Sequence, residues 1–174
     1  ASTAPSNLKI RPTRNDRKIA ISQAITASLT KSYNLIYFKA SGYLPLLNRA
    51  ASIEQRDALV EQAIKTSMDA KDLDPAQPGA YALVALYSSV KGDKKETIKY
   101  LDMGLALEDI PTDTRIALLV SAGQSVVRLG EYDKGLGYYE QALSIDPNEP
   151  TALKSLGALY LAKDDFDSAL KNLD

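Results

Sequence analysis

The stretch from Glu131 to Leu170, "EYDKGLGYYEQALSIDPNEPTALKSLGALYLAKDDFDSAL", carries nearly the same pattern twice. Within it, Phe166 follows Tyr132 by 34 residues. The same interval separates Leu119 and Gly123, just before the stretch, from Leu153 and Gly157 inside it. A fixed period of this length is typical of stacked supersecondary units that bury their apolar faces against each other. The stretch therefore predicts an array of repeats and not a single irregular core.

The period continues upstream, with one insertion. The spacing is 38 residues from Tyr81 to Leu119 and returns to 34 from Ala70 to Gly104. The four additional residues fall around "EDIPTD" at 108–113. The insertion therefore lengthens one connection and leaves the repeating unit intact.

Apolar residues within each unit recur at three- and four-residue spacings, which is the period of an amphipathic helix. Ser52 with Gln55 and Asp93 with Glu96 have the spacing of capping boxes, which mark helix starts. We predict helices at 15–38, 53–72, 78–91, 93–107, 113–129, 132–145, 149–163 and 165–174.

The segment "KASGYLPLL" at 39–47 predicts an irregular connection, because Gly and Pro interrupt its apolar residues. We expect Leu44, Leu46 and Leu47 to pack onto the first units as an N-terminal cap. The end of a solenoid must cover its apolar face in some such way.

The pattern resembles the tetratricopeptide repeat (TPR), in which a large residue is followed by Leu-Gly-x-x-Tyr, then Ala-x-x-x-Phe, then Pro. The stretch "LKSLGALY" at 153–160 matches the first part of this pattern. The resemblance assigns repeat-packing roles to Tyr81, Ala85, Leu119, Gly123, Tyr132, Tyr139, Ala142, Pro147, Leu153, Leu156, Gly157, Tyr160, Phe166 and Ala169. It implies an all-α fold: a right-handed α-solenoid of about three to four antiparallel helix pairs, with an irregular N-terminal helical cap.

The resemblance covers the array and none of residues 1–43. We expect residues 1–13 to form a flexible basic arm, 14–52 to form an N-terminal helix and irregular connection (a cap or a degenerate repeat), and 53–174 to form the array. The array divides into a partial unit at 53–77, units at 78–115 and 116–149, and a truncated unit at 150–174. Because the last unit stops before its second helix is complete, we expect a longer repeat array to continue beyond Asp174.

Composition excludes several kinds of site. The chain has no Cys and no His, so thiolate and imidazole chemistry is absent, and we predict neither a metal site, nor a cofactor, nor an enzyme. With 21 Lys and Arg against 22 Asp and Glu, no nucleic-acid binding is expected. No apolar run approaches the roughly 18 residues of a membrane span, so we expect no transmembrane segment. The absence of Cys favours an exported or periplasmic bacterial protein over a cytoplasmic one.

The N-terminal stretch "LKIRPTRNDRK" at 8–18 carries five basic residues against Asp16. Two interpretations follow from this excess. The first is a solvated arm that leads into the first helix. The second is an electrostatic contact with an acidic partner or with anionic lipid headgroups.

In the resemblance, the first helix of each pair lines a concave inner face that binds peptides. It assigns this groove to Leu83, Leu86, Val90, Val120, Gln124, Val127, Arg128, Lys154 and Leu161. The carboxylate clamp that grips the tails of heat-shock chaperones needs Lys, Asn and Arg at set positions. This chain has Ala82, Leu86, Ser121, Thr151 and Ser155 there, so no chaperone-tail clamp is expected.

The resulting expectation is a non-catalytic scaffold or adaptor that binds a helix or peptide segment of another protein, or that self-associates through the array ends. Proteins that resemble it in bacteria often serve envelope assembly, secretion or pilus biogenesis. The alternative is a regulatory or targeting module of a larger protein whose catalytic part lies outside this chain.

Overall fold

A computed structural model describes residues 13–162, and the statements below concern that range. Within it the chain is helical, without a β-strand, as the all-α solenoid prediction requires. The helices are α1 (Arg14–Ser41), α2 (Tyr43–Leu47), α3 (Ile53–Leu73), α4 (Pro78–Lys91), α5 (Lys94–Leu105), α6 (Thr112–Arg128), α7 (Tyr132–Ile145) and α8 (Pro150–Ala162).

The helices form pairs that stack along one direction. α1 packs on α3, α4 on α5, and α6 on α7, while α8 begins the next pair. Each second helix also contacts the first helix of the following pair, and α4 contacts α6 directly. The first helices α1, α4, α6 and α8 therefore form one layer, and the second helices α3, α5 and α7 form the other.

The predicted helix starts at Ser52 and Asp93 are confirmed by their hydrogen bonds. The Ser52 hydroxyl accepts from the Gln55 backbone N–H at 3.1 Å, and the Asp93 carboxylate accepts from that of Glu96 at 3.0 Å. These bonds satisfy amide groups that have no partner inside the helix. The sharp turn between α4 and α5 uses Gly92 at φ 84°, a conformation that side chains with a Cβ rarely adopt.

Close approach between α6 and α7 depends on a glycine. A Cβ at Gly123 would lie 2.8 Å from Cδ1 of Tyr139, which is closer than two carbons can approach. Tyr139 is buried and joins a cluster with Leu119, Ala142 and residues of α8. Gly123 thus admits the aromatic ring that ties α6 to α7, which explains a glycine in a helix interior despite its cost of about 1 kcal/mol relative to alanine.

The predicted irregular connection at 39–47 is wrong. α1 continues to Ser41, and residues Tyr43–Leu47 form the short helix α2. Pro45 fits because it lies in the first turn, where its missing N–H would have had no helical partner. Of the three leucines expected to form a cap, only Leu47 is buried, whereas Leu44 and Leu46 are exposed.

The N-terminal segments are joined more closely than the sequence division suggested. α1 packs along α3, so the segments 14–52 and 53–77 together supply one helix pair, with α2 in their connection. The predicted basic arm at 1–13 and the helix at 165–174, with Phe166 and Ala169, lie outside the described residues except for Thr13, which caps α1.

Candidate protein-binding groove

Most residues assigned to repeat packing lie in the interior. The buried ones are Tyr81, Ala85, Leu119, Gly123, Tyr139, Ala142, Leu156 and Gly157, and the half-buried ones are Leu153 and Tyr160. Two assignments are wrong. Tyr132 is 45% exposed at the first position of α7, and Pro147 is exposed in the loop after α7. Pro147 follows the last helical turn, where its ring ends the helix without being packed.

The α4 part of the predicted groove is covered by the chain itself. Leu83 is buried, and Leu86 and Val90 are half-buried, in a cluster with Ala40 and Leu47. We call Leu83, Leu86 and Val90 the covered face. The prediction that these residues line an open groove is therefore wrong at Leu83 and incomplete at the other two, because residues of α3, with others from α1 and α2, share the cluster that buries them.

A buried hydrogen bond helps to hold the end of α1 against α4. The Tyr87 hydroxyl donates to the Ala40 carbonyl oxygen at 2.7 Å. Tyr87 has no exposed surface, and its burial raises its pKa to about 12. The bond joins α4 to the end of α1 across 47 positions of sequence, so it ties the N-terminal helices to the array.

The α6–α8 part of the inner surface is open. A concavity of about 430 Å³ lies between α6, the start of α7 and α8. We call it the open groove. Its lining residues are Gln124, Val127, Arg128, Tyr132, Tyr139, Ser155, Ala158, Leu159 and Ala162. Three of the nine predicted groove residues, Gln124, Val127 and Arg128, are among them.

Three other predicted groove residues lie elsewhere. Val120 is buried in a cluster with Ala152 and Leu156, so the prediction that it lines the groove is wrong. It is covered because α8 packs over it. Lys154 and Leu161 are exposed on α8, but they are not part of the lining.

The groove also contains residues that the repeat register did not assign to it. Tyr132 and Tyr139 come from the second helix of the pair, and Leu159 from α8. Tyr139 reaches the groove because Gly123 leaves room for its ring beside α6. The glycine was visible in the sequence, but the direction of the ring that it admits was not.

The described lining of the open groove is mostly uncharged. Among the described residues that line it, Arg128 is the one that carries a charge. Burial raises the pKa of Tyr139, and a hydrogen bond with Ser155 offsets part of the rise. Tyr139 therefore remains a neutral hydroxyl at physiological pH. The groove offers apolar surface, neutral polar groups and one cation.

A second concave region lies beside α1. The rings of Tyr33 and Tyr37 stack with their centroids 5.7 Å apart. Tyr37 and Gly79 line a cavity of about 450 Å³, together with the loop that contains Asp109. A Cβ at Gly79 would lie 2.9 Å from Cε2 of Tyr37, so α1 rests directly on the start of α4.

Comparisons with known proteins agree with this architecture. The chain is 27% identical over 112 residues to the TPR repeat-containing protein YpiA of Bacillus subtilis, a match that covers 64% of this chain and 26% of that relative. A solved TPR protein of Thermus thermophilus, TTC0263, superposes with a TM-score of 0.63 at 20% identity, over 85% of this chain and 69% of that one. The chain has the fold of tetratricopeptide-repeat (TPR) proteins and is similar to them in sequence.

Other comparisons extend this result. The TPR chain is 26% identical over 127 residues to the photosystem I assembly protein Ycf3 of Prochlorococcus marinus, covering 73% of this chain and 72% of the relative. A crystal structure of MamA superposes with a TM-score of 0.53 at 22% identity, covering 94% and 92% of the two chains. No family model matches the chain.

Further observations bear on other classes of site. Within residues 13–162, no three acidic side chains come together in a way that would hold a metal ion. Over the same range, no helix has the length and apolarity needed to cross a membrane.

Proposed function

We propose that this TPR protein is a non-catalytic scaffold or adaptor that holds a peptide segment or helix of a partner protein in the open groove. The observation that supports it is the open, largely apolar concavity between α6 and α8, on the layer of first helices. Stacked repeats use such concave surfaces to bind other chains.

The size and lining of the groove favour a short segment. About 430 Å³ is enough for a few side chains and too small for the face of a folded domain. Val127, Ala158 and Ala162 supply apolar surface for anchoring side chains. Gln124 and Arg128 supply hydrogen-bond donors at one wall, which is the arrangement of apolar anchors with a few polar contacts that peptide grooves use.

The charge of the groove specifies the partner further. Arg128 is exposed, and it takes part in no ion pair among residues 13–162. An exposed guanidinium without an ion pair favours a carboxylate on the bound segment, because the two groups form charge-assisted hydrogen bonds. We therefore expect segments with apolar anchors next to an Asp, a Glu or a C-terminal carboxylate.

A display selection with random peptides against the folded chain tests this proposal, because random peptides sample segments of any partner. We expect the enriched peptides to combine apolar residues with an acidic group. Their affinity should fall at least tenfold with Ala158→Arg, which fills the exposed centre of the groove. Arg128→Glu should shift the selection from acidic to basic peptides.

Ala58→Arg is the matched control, because it introduces the same side chain at an exposed position of α3, in the other layer. It should leave peptide affinity unchanged. Peptides that bind the parent and the Ala158→Arg variant equally would show that the open groove is not the binding site. A selection that enriches no peptide would also contradict the proposal.

A role in assembling a protein complex completes the proposal. The Ycf3 relative is named as an assembly protein, which supports a scaffold role. The context that we propose is bacterial envelope, secretion or pilus assembly, in an exported or periplasmic protein, a location that the absence of Cys favours. A fusion of alkaline phosphatase to the full gene product tests the location. The fusion should be active if the protein is exported, and inactive phosphatase would show that the protein stays in the cytoplasm.

The match to YpiA supports a second candidate, a regulatory or targeting module within a larger protein. That match spans 26% of the relative, so a unit of this kind occurs within a longer chain. In this case the open groove would bind a segment of its own parent protein. Peptides scanned from the parent sequence would then compete with the display-selected peptides. An absence of competition would exclude this alternative.

A further inference from the structure

The first helix continues well beyond the rest of the array. All residues from 13 to 32 are exposed, and Tyr33 is the first buried residue of α1. We call residues 14–32 the α1 extension. At the rise of an α-helix it is about 28 Å long. A helix without tertiary packing is only marginally stable in water, so this extension would gain from a partner.

The α1 extension carries an uncovered apolar row. Ile21, Ile25 and Leu29 are 61%, 55% and 46% exposed. They continue the four-residue spacing of Tyr33 and Tyr37, which pack against the array. Residues four apart lie on adjacent turns of the same side of a helix. The apolar row therefore leaves the array at Tyr33 and winds gradually round the extension, and no residue among 13–162 buries its Ile21–Leu29 part.

Charge is strongly segregated along the chain. Residues 1–52 contain eight Lys and Arg and one Asp, whereas 53–174 contain 13 Lys and Arg and 21 Asp and Glu. Within the α1 extension, Arg14, Arg17, Lys18 and Lys31 outnumber Asp16. No ion pair among residues 13–162 involves these four cations.

The α1 extension emerges beside an acidic edge. The loops that lead from α3 to α4, from α5 to α6 and from α7 to α8 lie at the same end of the helix pairs. Tyr33 and Asn34, at the base of the extension, line one cavity with Asp109 of the second loop. In and around these loops the acidic residues are Asp72, Asp74, Glu108, Asp109, Asp113, Asp146 and Glu149, against the basic Lys71, which pairs with Asp72, and Arg115, so the edge keeps an acidic excess.

We propose that two copies of this chain associate through antiparallel packing of their α1 extensions. With Ile25 facing Ile25 of the second copy, Ile21 meets Leu29 of that copy. Arg17 and Tyr33 are equally far from Ile25 in sequence, so Arg17 of one copy approaches the base of the other extension, beside the acidic edge. The surface is self-complementary, as a two-fold interface requires.

Charge complementarity favours a second copy over an anionic membrane as the occupant. The cations on the extension of the second copy lie against the acidic edge of the first copy. The cations of the first copy lie against the acidic edge of the second in the same way. An anionic lipid surface would attract the cations but repel the acidic edge next to them. The inference is independent of the proposed peptide groove, because the α1 extension shares no residue with it.

Sedimentation velocity of the full chain at increasing concentration tests the proposal. We expect the mass to rise from 18.9 kDa toward twice that value. Ile25→Arg should keep the chain monomeric, and Arg17→Glu should weaken the dimer while leaving the apolar row intact. Phe38→Arg is the matched control on the same helix, at a site 77% exposed, and should still dimerise. Raising the salt concentration should weaken the dimer, because salt screens exposed charges.

Helicity measured by circular dichroism confirms that each variant is folded. A parent chain that stays monomeric at every concentration would overturn the proposal, as would an Ile25→Arg variant that dimerises like the parent. Flotation with phosphatidylserine vesicles provides the remaining test. A monomeric parent that floats with the vesicles, and loses this ability with Ile25→Arg, would assign the apolar row to a membrane and overturn the dimer.

Discussion

The covered face on α4 and the open groove between α6 and α8 belong to the same layer of the same array, yet only one is available to a partner. Leu86 and Gln124 occupy equivalent positions, 38 residues apart, on successive first helices. Leu86 is half-buried against the N-terminal helices, whereas Gln124 is exposed on the wall of the groove. Repeat register thus decides which side chains point inward, and the neighbouring segments decide which of them stay accessible.

The difference has a local cause. At the N-terminal end, α1 and α2 contribute Tyr37, Ala40 and Leu47 to the cluster that contains Leu83. Next to α6, the following first helix α8 covers Val120 but leaves a gap in front of Val127. Within residues 13–162 the chain therefore covers α4 and leaves the later surface open.

The largest effect should come from Leu83→Ala. Leu83 is buried beneath the N-terminal helices, and removing a buried leucine typically costs about 2–5 kcal/mol of unfolding free energy. Leu35→Ala, at a site 71% exposed, should change stability by less than about 0.5 kcal/mol. Urea denaturation followed by circular dichroism measures both. Equal, small losses would show that Leu83 is not packed in the cluster between α4 and the N-terminal helices.

The open groove has its own packing test at Gly123→Ala. The added methyl group would collide with the Tyr139 ring, and overpacking of this kind costs about 1–3 kcal/mol. Gly137→Ala is the control, because no atom lies within 4 Å of a Cβ built there. It should stabilise α7 by about 0.5–1 kcal/mol, as alanine does in a helix. Thermal melts that move in the same direction for both variants would contradict the Gly123–Tyr139 contact.

Tyr87→Phe tests whether the hydrogen bond between Tyr87 and Ala40 holds α1 against α4. The variant leaves the Ala40 carbonyl without the Tyr87 hydroxyl, and an unsatisfied buried group costs about 1–3 kcal/mol. Tyr132→Phe, at an exposed site, should alter stability by less than about 0.5 kcal/mol. Amide hydrogen exchange near residues 37–41 should also accelerate in Tyr87→Phe. Unchanged exchange and stability would show that the bond does not hold the N-terminal helices.

The last effect is a pH dependence, which is absent near neutral pH and appears only in strongly alkaline solution. Burial raises the pKa of Tyr87 to about 12 in the folded chain, above the value of about 10 for an unfolded tyrosine. The folded state therefore holds this proton more tightly, and the associated stability is complete below about pH 10 and lost between about pH 10 and 12. Over that window Tyr87→Phe should lose less stability than the parent in urea denaturation. An equal loss would show that Tyr87 is not the group that titrates.

Much of the fold could be predicted from the sequence, because the repeat fixes it locally. Glycines and alanines at regular intervals marked the helix crossings, and the caps at Ser52 and Asp93 marked helix starts. The error at 39–47 arose because Gly42 and Pro45 were interpreted as helix breakers. Gly42 instead adopts helical dihedrals at φ −64°, and Pro45 lies in a first turn.

The candidate site was predictable only in part. Gln124, Val127 and Arg128 follow from register on one helix, which depends on nearby sequence alone. The burial of Leu83 and Val120 depends on which distant helix covers them, namely α1 with α2 and α8. Sequence spacing within a repeat carries no information about that contact, so the covered and open halves could not be told apart.

A nuclear magnetic resonance titration tests most directly whether the open groove is the binding surface. The isotope-labelled full chain would be titrated with a display-selected peptide, and backbone amide shifts would be followed for each residue. We predict that the shifts concentrate at 124–128 and 155–162, which contribute to the lining, and spare 83–90 on α4. Shifts confined to 83–90, or to the α1 extension at 14–32, would contradict the account.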